Sequence, residues 1–283
     1  MVEFFDWCER RGFGLETIEA VVVAAYIEEL GRTHAAPSVK QYLAAIRMLF
    51  DWLVVSQIVP HNPAAAVRGP KHSIKRGKTL VLSAKEARQL LDSIPLVRPH
   101  PITGEPVADV VALRDRALIA TMVYSFARVS AVVGMRVEDY YRNGKRFWNR
   151  LHEKGGKLHE VPAHHQAEEY MDAYLRCAAM DLVREKKTPL FRSASGRSHR
   201  LSANGMTRKD ALAMVKRRAC QAGLPASTCC HTFRATGITA YLENGGTIEN
   251  AQAIAAHESP RTTKLYDRTS DEITLEEVER IRI

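Results

Sequence analysis

Residues 68–79 divide this 283-residue chain into two parts that must fold around separate cores. The segment contains two glycines, one proline and five cationic side chains: Arg68, Lys71, Lys75, Arg76 and Lys78. Glycine and proline interrupt regular structure, and a cluster of like charges resists burial. We therefore predict a basic linker at 68–79. It separates an N-terminal domain, 1–67, from a larger C-terminal domain, 80–283.

The N-terminal domain is predicted to be helical. Thr17–Leu30 is apolar on most faces, and a clearer helical repeat follows Pro37. Lys40 and Arg47 lie seven residues apart, on the face opposite the apolar one. That face either enters a DNA groove or is simply hydrated, and spacing does not decide between the two. The apolar positions of the repeat are Val39, Tyr42, Leu43, Ile46, Leu49, Phe50 and Leu53.

The C-terminal domain is predicted to be mainly helical with a small β-hairpin, which makes the whole chain a mainly α protein of the α+β class. Ser83 and Glu86 have the spacing of a capping box at the start of a helix. Leu113–Val123 reads as a strongly apolar helix, and 95–106, with four prolines, reads as a loop. Two short runs within 147–162 flank a Gly-Gly pair, the pattern of a β-hairpin.

Charge and cysteine content narrow the class of protein. The chain has 41 Lys and Arg against 32 Asp and Glu, a net charge of +9, which favours a polyanionic partner. Its five cysteines lack the spacing of a disulfide framework, and the Cys229-Cys230 pair has no second Cys/His pair with which to bind a metal. The apolar run 21–27 is too short for a membrane span. We expect a cytoplasmic protein with no cofactor, no metal and no membrane partner.

Five residues form a set suited to attack on a phosphodiester: Arg128, His231, Arg234, His257 and Tyr266. Arginine offers a permanently charged planar fork that matches phosphate oxygens. Two arginines and a histidine donor would stabilise the extra charge of the transition state. Tyrosine, with an ordinary pKa of about 10, needs a base or nearby cations to become a nucleophile. None of these motifs alone is specific to this chemistry. Their joint occurrence in this order is specific to it.

This set and its order resemble the tyrosine recombinase (phage integrase) family, and the Xer-like site-specific recombinases within it. The resemblance spans nearly the whole chain. It implies a helical core-binding domain and a catalytic domain that close around DNA as a C-shaped clamp. It also implies strand breakage and rejoining through a covalent 3′-phosphotyrosine, without metal or ATP.

The resemblance assigns a role to each residue of the set. Tyr266 is the nucleophile, and Arg128 and Arg234 clamp the scissile phosphate. His231 occupies the proton-accepting position beside the tyrosine, and His257 the position that hydrogen-bonds a non-bridging oxygen. The segment 153–157, Glu-Lys-Gly-Gly-Lys, is similar to the family's hairpin motif. It makes Lys154 the expected general acid for the leaving 5′-oxygen, with Lys157 as second choice.

Three positions depart from the family pattern. Ala131 stands where the family often has an acidic residue, three residues after the first arginine. That carboxylate usually supports the active site, and Glu138 and Asp139 are the candidates to replace it here. Phe126 and Ala256 stand where glycines are usual, so we expect these two departures to affect backbone geometry rather than chemistry.

The resemblance further implies double-stranded DNA as partner and a homo-tetramer on paired sites. Thr274 and Glu277 have capping-box spacing in a short C-terminal helix, 273–283. We expect this helix to dock on a neighbouring subunit, the alternative being its own domain. Candidate DNA contacts are the cations Lys40, Arg47, Lys71, Lys75, Arg76, Arg208, Lys209 and Arg217.

Two other functions remain open at this point. A type IB topoisomerase would use the same chemistry to relax DNA without choosing a site. A DNA-binding relative with weakened catalysis is the third reading, for which Ala131 is the only hint.

Overall fold

The computed structural model describes residues 2–72, 77–194, 196, 198–268 and 279, and for Lys154 the backbone alone. Contacts divide the chain into two compact units, Met1–Lys75 and Arg76–Ile283. The predicted linker therefore spans the point of division. The predicted tail helix, 273–283, lies outside the described residues apart from Glu279.

The N-terminal unit is helical, as predicted. It consists of α1 (Val2–Glu9), α2 (Ala20–Thr33) and α3 (Ala36–Val55), with a 3-10 turn at Leu15–Thr17. Five of the seven predicted apolar positions of α3 are buried: Val39, Leu43, Ile46, Phe50 and Leu53. Aromatic side chains from all three helices meet in the core, where the rings of Phe4 and Tyr26 lie edge to face at 5.0 Å.

Eight further helices are described in the C-terminal unit. They are α4 (Ala84–Asp92), α5 (Val110–Ser125), α6 (Val129–Val133), α7 (His165–Cys177), α8 (Arg208–Gln221), α9 (Cys230–Glu243), α10 (Ile248–Ile254) and α11 (Pro260–Lys264). The predicted capping box is present, since Glu86 N–H donates to Ser83 Oγ at 3.2 Å and Ser83 N–H to Glu86 Oε2 at 2.8 Å.

Short antiparallel strands make up the rest. β3 (Tyr140–Asn143), β4 (Arg146–His152) and β5 (Leu158–Pro162) form one sheet in the order β3-β4-β5. The β4–β5 pair is the predicted hairpin, and Gly155 and Gly156 at its turn have φ of 79° and 77°. The sequence did not indicate β3. It also did not indicate two further pairs of strands, β1 (Val97–Pro99) with β2 (Pro106–Ala108) and β6 (Arg192–Ala194) with β7 (Leu201–Gly205).

The loop prediction for 95–106 is therefore wrong in part. Pro99 and Pro106 face each other across the β1–β2 pair. A proline lacks a backbone N–H, so it is tolerated in a strand where that donor is not needed. Each strand of this pair is three residues long, and its prolines lie at the strand ends, where the missing N–H is not needed.

Helix α5 is the centre of the C-terminal unit. It packs against α7 and α9 and is buried on nearly every side. The carboxylate of Asp115 in α5 is fully buried and accepts hydrogen bonds from Arg218 of α8 at 2.8 and 3.0 Å. Arg114 and Arg217 bind the same carboxylate. Buried charges persist only when paired in this way, so the cluster fixes α8 to α5.

Helices α5 and α9 approach most closely at Gly237. A Cβ atom at this position would lie 2.1 Å from Val123 O and 2.8 Å from the ring of Phe126. Only glycine allows this distance between the two backbones. The contact matters for the site below because α9 carries His231 and Arg234, and Phe126 leads into Arg128.

We predict that Gly237→Ala destabilises the C-terminal unit by about 1–3 kcal/mol, the usual cost of overpacking. Amide hydrogen exchange of α9 should accelerate accordingly. The matched control is Gly31→Ala in α2, where nothing lies within 4 Å of the new Cβ. There the substitution should stabilise α2 by about 0.5–1 kcal/mol. Unchanged exchange in α9 would show that the helices separate at no cost.

Candidate active site

Helix α9 presents the His-x-x-Arg motif from its first two turns. The backbone N–H of Cys229 donates to the Thr232 hydroxyl at 3.1 Å and so fixes the start of the helix. His231 is exposed in the first turn, and Arg234 is buried one turn later. The first N–H groups of a helix lack intrahelical partners and carry partial positive charge. The motif therefore lies where an anion is favoured.

Arg234 is the most buried of the five predicted residues, with 1% of its surface exposed. One terminal nitrogen, Nη1, donates to Phe126 O, and the other, Nη2, donates to Ala255 O at 2.7 Å. These carbonyls stand two residues before Arg128 and two residues before His257. One guanidinium thus fixes to α9 both segments that carry the remaining clamp residues.

Both segments turn through residues in the left-handed region. Phe126, which ends α5, has φ of 54°, and Ala256, which follows α10, has φ of 49°. The left-handed conformation costs a residue with a side chain roughly 1–2 kcal/mol, a cost that glycine would avoid. These are the two positions where family glycines are absent. The positive φ values show that both departures fall on strained backbone positions. That they leave the chemistry unaffected stays a prediction.

Tyr266 meets His231 directly. Its Oη lies 2.7 Å from His231 Nε2, and its ring lies parallel to that of His257 at a centroid distance of 5.8 Å. The backbone of the tyrosine is held as well, because the buried Thr239 hydroxyl of α9 donates to Tyr266 O at 2.8 Å. Residues 35 positions apart in sequence are thereby placed for proton transfer.

The chain around Tyr266 also contacts Gly77, near the C-terminal end of the linker. Gly77 N–H donates to Leu265 O at 2.9 Å, and Arg268 donates to Gly77 O at 2.8 Å. The end of the linker is therefore hydrogen-bonded to the segment that carries the tyrosine.

His257 is buried and neutral. Burial, followed by the charges of Arg234 and Arg128, lowers its pKa to about 3. Its Nδ1 lies 2.8 Å from the hydroxyl of the buried Thr263. If that hydroxyl donates to Nδ1, the ring proton resides on Nε2, which is then the donor available to a ligand.

The same causes shift the pKa values of the other residues of the site. Although part of the His231 residue is exposed, its ring lies against Tyr266, and this partial desolvation, followed by the charges of Arg234 and Arg128, lowers its pKa. The neutral form of His231 therefore predominates at pH 7. Burial raises the pKa of Tyr266, and the two arginines counteract it only in part. The pKa of Arg234 falls to about 10, mainly through burial, which leaves it charged. The arrangement is a neutral base beside a protonated tyrosine in a cationic setting.

Arg128 is anchored by a carboxylate that the sequence did not single out. Its Nη1 lies 2.5 Å from Oε2 of Glu153, the residue between β4 and the hairpin turn. The expectation that Glu138 or Asp139 replaces the carboxylate missing at Ala131 is wrong. Asp139 instead accepts from the backbone N–H of Arg136 and contacts His152, and Glu138 faces Arg136.

Lys154 follows Glu153 at the start of the 3-10 turn between β4 and β5. The backbone therefore places it on the hairpin, directly after the residue that contacts Arg128. Its side chain lies outside what the structure describes, and its role as general acid stays a prediction. Lys157, the second choice, is exposed and its carbonyl accepts from Glu153 N–H at 2.8 Å.

The predicted DNA contacts differ in their surroundings. Arg47 is half-buried and donates to the carbonyls of Ala64 and Val67, a role in its own domain that neither alternative foresaw. Arg217 is exposed and forms an ion pair with Asp115, the carboxylate that also binds Arg114 and Arg218. Lys75 and Arg76 lie outside the described residues. The remaining predicted contacts are exposed: Lys40, Lys71, Arg208 and Lys209.

Two classes of feature are not found in the described part of the chain. No group of three or more His, Cys, Asp or Glu side chains there could hold a metal ion. Within the same ranges, no helix combines the length and apolar character that crossing a bilayer requires. Cys230 is buried at the start of α9, and Cys229 is its N-cap.

Comparison with known proteins decides the family. Residues 81–272, which include all six predicted catalytic residues, match the Phage integrase family. The chain belongs to the phage integrase family. It is a tyrosine site-specific recombinase.

Two relatives and two solved structures illustrate the similarity. Tyrosine recombinase XerD of Corynebacterium glutamicum is 28% identical over 270 residues, which cover 93% of this chain and 83% of that protein. XerD of Mycobacterium leprae is 31% identical, and the match covers 82% of this chain and 69% of that protein.

Among solved structures, XerH bound to its difH substrate has a TM-score of 0.67 at 19% identity, covering 98% of this chain and 74% of the other. A lambda integrase dimer bound to a core site has a TM-score of 0.61 at 17% identity, and the match covers 97% of this chain and 91% of the other. At these identities the two structures support the fold, which is mainly α with small antiparallel sheets, as predicted.

The pKa shifts predict how DNA cleavage by this recombinase depends on pH. If His231 accepts the Tyr266 proton, as predicted, it must be neutral to do so. Because its pKa lies below the ordinary 6.5, kcat/KM should then be flat near pH 7 and fall on acidification below 6.5. DNA binding measured over the same pH range provides the control. An acid limb centred above 6.5 would show that another group controls the rate.

Proposed function

We propose that Tyr266 attacks a scissile phosphate of double-stranded DNA. A bond forms between Tyr266 Oη and phosphorus, the bond from phosphorus to the 5′-oxygen breaks, and a 3′-phosphotyrosine with a free 5′-hydroxyl results. The observation that carries this proposal is the 2.7 Å contact between Tyr266 Oη and His231 Nε2. The reverse reaction, with a new 5′-hydroxyl, rejoins the strand without ATP because the ester conserves the energy of the cut bond.

Charge stabilisation comes from the clamp residues. Arg128 has 38% of its side chain exposed, and among the described residues its side chain hydrogen-bonds to Glu153, which leaves other N–H groups for phosphate oxygens. Arg234, held by the carbonyls of Phe126 and Ala255, adds a fixed positive charge at the most buried position. His257 donates from Nε2. Because hydrogen bonds within the protein hold these groups, we expect little reorganisation of the clamp during the reaction.

Proton transfer uses two different residues. His231 takes the proton from Tyr266 as the bond to phosphorus forms, which its neutral state permits. Lys154 supplies the proton that the leaving 5′-oxygen requires, a role supported by its place on the hairpin next to the partner of Arg128. On rejoining, the two residues exchange the roles of acid and base.

The substrate and assembly follow from the family. The XerH and lambda integrase structures are complexes with DNA sites, and this chain carries nine excess positive charges. We infer that it binds a DNA recombination site, with Lys40, Lys71, Arg208 and Lys209 among the exposed cations that contact phosphates. Exchange of strands between two such sites requires a tetramer, and the segment 273–283 is the proposed link between subunits.

Tyr266→Phe tests the nucleophile. The substitution removes one oxygen and keeps the ring against His257, so DNA binding should survive. The covalent protein–DNA adduct should disappear on a nicked suicide substrate that traps the cleaved state. Because the clamp itself supplies positive charge, adduct formation by the wild-type protein should persist in excess EDTA.

The matched control is Tyr241→Phe. Tyr241 lies on α9 and packs edge to face against Phe126, close to the site but away from His231. This variant should form adduct at the wild-type rate. A denaturant-resistant adduct from Tyr266→Phe would assign the nucleophile to another residue.

A further inference from the structure

Glu153 is a buried carboxylate inside a cationic site. Its side chain is 3% exposed, although the other polar residues of the hairpin, Asn149 excepted, are exposed or half-buried. Its backbone is fixed too, since Glu153 N–H donates to Lys157 O across the turn at 2.8 Å. Moving a carboxylate out of water costs several kcal/mol unless a charged partner compensates. The partner here is Arg128, so the position of one side chain depends on the other.

The contact also joins two separate elements of the domain. Arg128 is the N-cap residue of α6, and Glu153 follows the last residue of β4 and immediately precedes Lys154. Within α6 itself, the position three residues after Arg128 is the buried Ala131, which cannot accept a hydrogen bond from a guanidinium. The carboxylate that orients Arg128 therefore comes from the hairpin.

We propose that Glu153 is the positioning residue for Arg128, and that it ties the hairpin bearing Lys154 to the phosphate clamp. This inference rests on the proposed function of Arg128 and Lys154. The Glu153 carboxylate fixes the rotamer of Arg128 while most of its N–H groups remain available. It also draws the hairpin turn toward the same phosphate, so that the clamp and the proton donor are assembled by one ion pair.

Electrostatics give Glu153 a second effect. Arg128 and Arg234 repel each other, and the charge of Arg128 helps lower the pKa of Arg234. Glu153 acts in the opposite direction on the same guanidinium. A buried negative charge behind Arg128 thus offsets part of the repulsion between the two arginines.

The test is Glu153→Gln, which keeps the size of the side chain and removes its charge. Single-turnover cleavage is measured at saturating DNA, with the dissociation constant for DNA measured separately. We expect the rate constant to fall about 10–100-fold, the usual effect of losing a group that orients a catalytic one, with little change in binding. Glu153→Asp, which keeps the charge, should recover part of the rate.

A double-mutant cycle with Arg128→Lys separates positioning from general stability. If Glu153 acts through the guanidinium of Arg128, then Glu153→Gln should lower the rate by less than about twofold in the Arg128→Lys background, because the two effects are not additive for coupled residues. The control is Glu160→Gln on β5. Glu160 pairs with Arg150 in an exposed ion pair, and its loss should change the rate by less than about twofold.

Three outcomes would overturn the inference. A faster Glu153→Gln enzyme would mean that the carboxylate competes with phosphate for Arg128. Full additivity in the cycle would mean that Glu153 acts elsewhere, and a wild-type rate in Glu153→Gln would mean that it does not act. If Glu153→Gln fails to fold, as judged by thermal unfolding, the same cycle is run with Glu153→Asp. Failure of the proposed function is distinct, since the wild-type protein would then form no adduct through Tyr266.

Discussion

A single buried guanidinium, that of Arg234, determines the geometry of the site. Removing an arginine from water is costly, and the cost falls only when its N–H groups find acceptors. Arg234 finds them in Phe126 O and Ala255 O, one on each of two chain segments. Because Arg128 and His257 each follow two residues later, the arginine that charges the site also sets the course of both segments around it.

The backbone around this interaction is under constraint. Phe126 and Ala256 both adopt left-handed conformations, and Gly237 brings α9 against the end of α5. Such strain persists only where the surroundings overdetermine it, and it is concentrated at functional sites. The hydrogen bonds to Arg234 are the contacts that hold these turns. Under the proposed function, Arg234 both fixes these loops and binds phosphate, so the site would couple stability to catalysis.

Much of this arrangement could be predicted from the sequence, for physical reasons. Apolar spacing marked α3 and α5, and the Gly155-Gly156 pair marked the hairpin, because these signals are local. The motif order identified the residues that converge, although the spacing could not give their distances. Glu153 was missed because a polar residue in a hairpin reads as hydrated. Its burial depends on Arg128, 25 residues away in sequence. Arg47 was misread for the same reason, since its acceptors are carbonyls beyond its own helix.

The central claim is most directly tested by unfolding and adduct formation in Arg234→Lys, with Arg128→Lys for comparison. Lysine keeps the charge at position 234 but cannot reach two carbonyls on opposite segments. We expect a loss of about 1–3 kcal/mol in stability and about 10²–10³ in cleavage rate. Arg128→Lys, at a half-buried position, should lower the rate with a smaller loss of stability. A stable Arg234→Lys protein that forms the Tyr266 adduct at the wild-type rate would contradict the account.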